Sequence, residues 1–228
     1  MGCSDLDLLQ RHIEAVWGVH LPPLAVGDVE VTASGGATPW MLYLARTDAG
    51  EVRAWRDVPA AARAELVERG RRALPPVGEN PGEGVVGEVV FRRPCPLPAL
   101  EGAAKRLGEA DRPALEVFEP GESAYWLDPR RAPLFGVVEA GRLVSVAHSS
   151  RRTAAACELG INTQVETRRR GFARACVLAW TRAVLEEGLE PLYSADRTNA
   201  PSLALARACG YRAFARAARV GETTSAPS

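Results

Sequence analysis

Three guanidiniums stand side by side at Arg168, Arg169 and Arg170, followed at once by Gly171, Phe172 and Ala173. Apolar residues then recur at Ala173, Val177, Trp180 and Val184, the three- and four-residue spacing of one helical face. The chemistry this arrangement suits is anion binding. The first turn of a helix carries N–H groups with no internal partner and the positive end of the helix dipole, and both favour a phosphate. A glycine at the turn lets a ligand approach the backbone, and arginine can hold a phosphate with two parallel hydrogen bonds.

Positioning that turn takes a strand before it and a helix after it. The apolar run 159–165 supplies the strand, and Gly188 with Pro191 ends the helix. Residues 191–195 read as the next strand, and Asn199-Ala-Pro-Ser202 opens a helix that stops at Cys209-Gly210-Tyr211. Upstream, 133–138 and 142–148 flank Glu139-Ala140-Gly141 as a hairpin. Residues 149–153 read as a polar turn and 154–163 as a strand. After Tyr211, 212–220 can close a sheet, and 221–228 reads as a frayed tail.

The first hundred residues carry their own α+β pattern. Ser4 and Asp7 resemble a capping box for a helix over 5–17, whose apolar face is Leu6, Leu9, Ile13, Val16 and Trp17. A strand at 29–32 follows. Residues 40–46 and 51–56 form a hairpin around Asp48-Ala49-Gly50. Asp57 can cap a helix reaching about Arg72, with Pro59 in its first turn. The proline and glycine density over 75–84 excludes regular structure there, and 85–91 reads as a strand. No chemical constellation stands out in this part. His12 and His20 read as surface or packing histidines.

Composition narrows the function classes. With 28 acidic and 28 basic residues the chain offers no overall basic field, which leaves the triple arginine a weak nucleic-acid patch. No apolar run is long enough to span a bilayer, and the start Met1-Gly2-Cys3-Ser4 fails the acylation pattern because position 6 is Leu. Asp5 and Asp7 do not fit a signal peptide. The five cysteines, Cys3, Cys95, Cys157, Cys176 and Cys209, show no metal-ligand spacing with the histidines. Cys157, Cys176 and Cys209 sit in apolar patterns, which fits buried thiols in a reducing, cytoplasmic compartment.

The spacing Arg168-x-x-Gly171-x-Ala173 after a strand, with strand, Asn199, short helix and Gly210-Tyr211 downstream, resembles the two cofactor-binding blocks of the GNAT acetyltransferase superfamily. The resemblance covers residues 103–220 and includes an acidic turn before the first helix near Asp111. It implies an α+β fold of three-layer α/β/α type. Its mixed, mostly antiparallel sheet would splay between the fourth and fifth strands, with acyl-CoA in the gap. The expected organisation is an N-terminal α+β extension at 1–100, the acetyltransferase domain at 101–220 and a tail at 221–228. The implied activity is transfer of an acetyl group from acetyl-CoA to a small-molecule or peptide amine by direct attack in a ternary complex. No metal, nucleic acid or membrane is expected, and the chain would act as a monomer or homodimer.

The same resemblance assigns residues. Arg168, Arg169, Arg170, Gly171, Phe172, Ala173 and Arg174 would hold the pyrophosphate. The edge at Ile161, Thr163 and Val165 would pair with the pantetheine amides, and one N–H there would polarise the thioester carbonyl. Asn199 and Ser202 would contact the cofactor arm. An attacking amine must lose its proton, so a general base is useful. Glu158 is the first candidate, from its position ten residues before Arg168, and His148 is the alternative. Glu119 and Glu122 would lie near the acceptor mouth. One departure stands against catalysis: Ala206 occupies the position where the superfamily often places a tyrosine that protonates the leaving thiolate. Ser202, Tyr193 or water would then serve, or the domain is a non-catalytic acyl-CoA-binding module.

Overall fold

A computed structural model describes residues 4–74, 82–99 and 104–221. Met1-Gly2-Cys3, most of the breaker-rich loop (75–81), the expected boundary near residue 100 and the tail 222–228 lie outside the described residues. The chain divides into two compact units. One takes the chain up to Arg92 together with Ser194–Leu203 and the stretch from Ala213; the other takes Arg93–Tyr193 and Ala204–Arg212.

The first unit begins with α1 (Asp5–Trp17). Ser4 Oγ accepts from the Asp7 N–H at 3.1 Å and the Asp7 carboxylate accepts from the Ser4 N–H at 3.2 Å, the reciprocal cap the sequence announces. Strands β1 (Val29–Thr32), β2 (Leu42–Thr47), β3 (Gly50–Trp55) and β4 (Val85–Arg92) follow, with α2 (Ala60–Ala73) between β3 and β4. β10 (Arg212–Val220) joins them, giving the order β1-β3-β2-β10-β4. β1 runs parallel to β3; β2 is antiparallel to both β3 and β10. Alternation along β2 builds two cores. Tyr43 and Ala45 pack with Leu6, Leu9 and Ile13 of α1, while Leu42 and Leu44 pack with Leu66 and Val67 of α2. Helices therefore cover both sheet faces.

One expectation in this unit changes, and one is settled as packing. Asp57 does not cap α2: Pro59 is the N-cap and no side chain serves there. Proline pre-sets the entry angle and has no N–H to satisfy, so the helix starts without an acceptor. His12 is fully buried, with Nε2 3.2 Å from Glu88 Oε1, and the Tyr43 hydroxyl donates to the same oxygen. It sits one turn from Leu9 on the inward stripe, so its burial is helical geometry and its partner is long-range.

The second unit carries β5 (Lys105–Arg106), β6 (Phe135–Glu139), β7 (Arg142–Arg152), β8 (Ala156–Thr163) and the start of β9 (Glu190–Asp196). β5 to β8 are successive antiparallel neighbours, and β8 pairs with β9 in parallel. Ala140 and Gly141 both take positive φ, as a two-residue hairpin turn of right-handed strands requires. α3 (Arg112–Phe118) and α4 (Ser123–Trp126) cover one face: Leu115, Phe118 and Trp126 pack on Leu143 and Val146. α5 (Phe172–Glu186) covers the other, where the fully buried Trp180 donates its indole N–H to Ser149 Oγ at 3.2 Å. α6 (Ala200–Ala208) ends in this unit. The acidic turn before α3 is present, but Asp111 caps it backward, accepting from the Gly108 N–H at 3.0 Å and from Lys105 at 2.7 Å.

Residues 149–152 are not a turn. β7 runs on to Arg152 through a bulge between Ser149 and Arg151, because Ser149 is wholly buried under Trp180 and Arg151 and Arg152 pair with Glu158 and Cys157. The turn comes later. Thr153 Oγ1 accepts from the Ala155 and Ala156 N–H groups, and β8 starts at Ala156.

Candidate active site

β8 is where the second unit leaves backbone unpaired. Its parallel pairing with β9 spans Ala156↔Glu190, Cys157↔Pro191 and Glu158↔Leu192, and past that register β8 pairs with β7 alone among the described residues. Gln164 N–H donates to Val144 O of β7. Strand alternation then turns the N–H and C=O groups of Leu159, Ile161 and Thr163 away from β7. Of the three edge residues expected from the sequence, Ile161 and Thr163 therefore stand on the free edge. Val165 does not: β8 ends at Thr163, and Val165–Thr167 is a short 3₁₀ turn in which Val165 is exposed.

That turn leads into the arginines. Arg168 Nε donates to Thr163 O at 3.3 Å, so the chain folds back on the end of its own strand. Arg169 and Gly171 both have positive φ, 63° and 85°, and Gly171 is the N-cap of α5 with no side chain bonding the first turn. A left-handed residue followed by helical ones turns consecutive N–H groups to one concave side, a nest for an anion. Arg170 makes a bidentate pair with Glu139 and lies 5.0 Å over the Phe172 ring. Arg174 donates to Ala208 O at 3.1 Å. Arg168 and Arg169 remain exposed and meet no carboxylate among the described residues.

Beside Gly160, Ile161 and Asn162 opens a pocket of about 320 Å³, lined also by Glu119, Glu122, Tyr125, Trp126, His148 and Ser150. His148 comes from β7, and Gly160 is its cross-strand partner on β8. A Cβ on Gly160 would sit 2.6 Å from His148 Nε2, so the missing side chain is what lets the imidazole lie across the sheet. Trp126 packs edge-on to that ring at 4.8 Å, and the Tyr125 hydroxyl lies 3.3 Å from Nε2. Burial lowers the His148 pKa to about 4, aided by the charges of Arg131 and Arg151 and opposed by a hydrogen bond with Gly160. At neutral pH it is an uncharged imidazole, and the same burial and cations make it a weaker base than an exposed histidine. Glu119 and Glu122 form part of the wall of this pocket.

Glu158 is buried in β8 and is not among the residues lining this pocket; its charge instead raises the pKa of Tyr211, behind the dominant effect of burial. Tyr211 packs on Tyr193 at 5.4 Å and its hydroxyl meets Thr181 Oγ1 at 2.7 Å, which makes it core. Asn199 and Ser202 belong to the first unit, where Asn199 Oδ1 accepts from the Ser202 N–H at 3.1 Å and caps α6. Ala206 is fully buried. Nothing in the sequence marks Tyr125, because an aromatic in an irregular stretch gives no periodic signal; its contact with His148 crosses 23 residues. Among the described residues no three His, Cys, Asp or Glu side chains cluster as a metal site, and no helix is long and apolar enough to cross a membrane.

Residues 133–216 match the family model described as GNAT acetyltransferase. A crystal structure from Novosphingobium aromaticivorans DSM 12444, assigned to the GNAT family, superposes with a TM-score of 0.50 at 27% identity, over 66% of this chain and 72% of that one. An acetyltransferase of the GNAT family from Colwellia psychrerythraea gives a TM-score of 0.50 at 17% identity, over 59% of this chain and 55% of that one. No curated protein sequence matches the chain.

Proposed function

We propose that this chain, a member of the GNAT acetyltransferase superfamily through residues 133–216, transfers an acetyl group from acetyl-CoA to the nitrogen of an amine acceptor within a ternary complex. The observation that carries this reading is the register of β8. Its pairing with β9 stops at Glu158, leaving the backbone of Ile161 unpaired on that edge by any strand among the described residues, beside a pocket that holds a neutral imidazole. The free edge takes the pantetheine arm as an added strand. The Arg168–Arg174 turn takes the pyrophosphate on its N–H groups, with Arg168 and Arg169 supplying charge. The N–H of Ile161 meets the thioester oxygen as it gains negative charge.

The acceptor enters past Glu119 and Glu122. His148 removes a proton from its ammonium group, the freed lone pair attacks the thioester carbonyl carbon, and the C–N bond forms as the C–S bond breaks. CoA departs as a thiolate and takes up the second proton that the nitrogen must lose to become an amide, passed through the Tyr125 hydroxyl, the group at hand in the pocket. Glu158 is the competing base. The buried thiols Cys157, Cys176 and Cys209, none in a disulfide, fit a reducing cytoplasm.

Thermal unfolding with and without acetyl-CoA tests the assignment, alongside Gly171→Glu. Saturation at one hundred times the dissociation constant should add about 2.7 kcal/mol of stability to the wild type. The variant, which places a carboxylate on the anion nest, should show no shift. Equal shifts in both would remove the Arg168–Arg174 turn from the cofactor site. The buried Ala206 favours a second reading, an acyl-CoA-binding module without turnover; a clear shift with no CoA thiol released across a broad amine panel would select it.

A further inference from the structure

A second groove, of about 570 Å³, adjoins the His148 pocket and shares Ser150 with it as a lining residue. Its wall is basic: Arg130, Arg131, Arg151 and Arg152 all line it. Two of these charges are already answered. Arg130 pairs with Asp128, and Arg152 pairs with Glu187 at 2.8 Å. The other two have no direct pair, although the Asp128 carboxylate feels the Arg131 charge. Arg131 Nη1 and Arg151 Nη1 both donate to the Ser150 carbonyl oxygen, at 2.6 and 2.8 Å, and neither meets a carboxylate within ion-pair distance among the described residues.

Bringing two guanidiniums onto one carbonyl oxygen sets like charges side by side, which is unfavourable until an anion joins them. Each planar fork keeps further N–H donors for that anion. Arg131 is also fixed in place, 4.0 Å over the ring of Tyr125, the residue whose hydroxyl meets His148. The basic groove and the His148 pocket therefore have opposite characters, with Glu119 and Glu122 on the pocket side.

We propose that the acceptor is a small amine that also carries an anionic group, a carboxylate or a phosphate, with its nitrogen at His148 and its anion on Arg131 and Arg151. This rests on the transferase reading above. The anion is not the pyrophosphate of CoA. Ser150 lies beside Glu158 and Leu159, whereas the arginine turn follows Thr163 at the far end of β8. At about 3.3 Å per residue, Leu159 to Thr163 alone spans roughly 13 Å.

The test uses the full chain with saturating acetyl-CoA and paired acceptors: each amino acid against its amide, and O-phosphoethanolamine against ethanolamine. Release of CoA thiol is followed, with rates expressed per neutral amine. The anionic member of a pair should have a KM lower by about tenfold or more, the size expected of charge-assisted hydrogen bonds. The carboxylate and phosphate arms identify which anion is preferred. R151Q, a change at an exposed side chain, should raise KM for the anionic member about tenfold and erase its preference. High salt should do the same in part. A binding readout stands beside turnover: with CoA saturating, inorganic phosphate should raise the Tm of the wild type and not that of R131Q/R151Q. Stabilisation by acetyl-CoA without any acid-over-amide preference, or a phosphate effect unchanged in R131Q/R151Q, would overturn the acceptor proposal alone. A wild type that ignores acetyl-CoA would instead overturn the transferase reading beneath it.

Discussion

At the scale of single residues the site depends on a glycine and a histidine facing each other. Gly160→Ala would put a methyl group into the His148 ring, with the backbone of both strands resisting relief. Overpacking of this kind costs about 1–3 kcal/mol, and here it also displaces the imidazole, so turnover should fall with little change in acetyl-CoA affinity. Burial, with Arg131 and Arg151, holds the His148 pKa near 4 instead of 6.5. Between those values the unfolded chain binds the proton and the folded one does not. The contribution to stability is therefore complete above pH 6.5 and lost as pH falls to 4, amounting to up to about 3 kcal/mol. Urea unfolding of wild type and His148→Gln at pH 7, 5.5 and 4 should show the wild-type curve steepening downward where the variant stays flatter. Identical slopes would contradict a buried, neutral His148. Glu158→Gln is the matched comparison for activity: a loss in kcat there, with His148→Gln unaffected, would move the base to Glu158.

At the scale of elements, the parity of β8 makes a separable prediction. The Ile161 N–H is turned away from β7, so Ile161→Pro removes no bond of the β7–β8 ladder and is tolerable there as at a sheet edge. The fold should survive, by near-ultraviolet circular dichroism, while turnover falls by about 10²–10³-fold if that N–H stabilises the developing oxyanion. Unchanged turnover would leave the thioester oxygen to another donor. The same elements mark what the sequence can announce. The helix face of α5, the Ser4/Asp7 cap and the arginine-glycine turn were legible because each is written within a few neighbouring residues. The extension of β7 to Arg152 was hidden because its warrant is Trp180, some thirty residues on, meeting Ser149. Val165 looked like strand because apolar character does not distinguish a strand end from a 3₁₀ turn. The Tyr125–His148 contact and the Arg131–Arg151 convergence have no sequence pattern; both are made by tertiary packing, as is the burial of His12 against Glu88.

At the scale of the whole molecule the two units are not consecutive stretches of chain. The family match ends at residue 216, within β10. Yet β10 pairs residue by residue with β2 of the first unit, Arg216↔Arg46 through Val220↔Leu42. Its inward residues Ala215, Ala217, Ala218 and Val220 are buried in the two cores that α1 and α2 close. A variant beginning at Arg93 keeps the arginine turn, the His148 pocket and the free edge of β8, but deletes β2, β4 and both helices around β10. A long strand stripped of its neighbours presents unpaired N–H and C=O groups with an apolar face, the condition for edge-to-edge association. We expect this truncated chain to aggregate, or to lose β10 from ordered structure, as read by size-exclusion chromatography and hydrogen exchange. A monomeric product that still gains stability from acetyl-CoA as the full chain does would show that the second unit carries the cofactor site without β10.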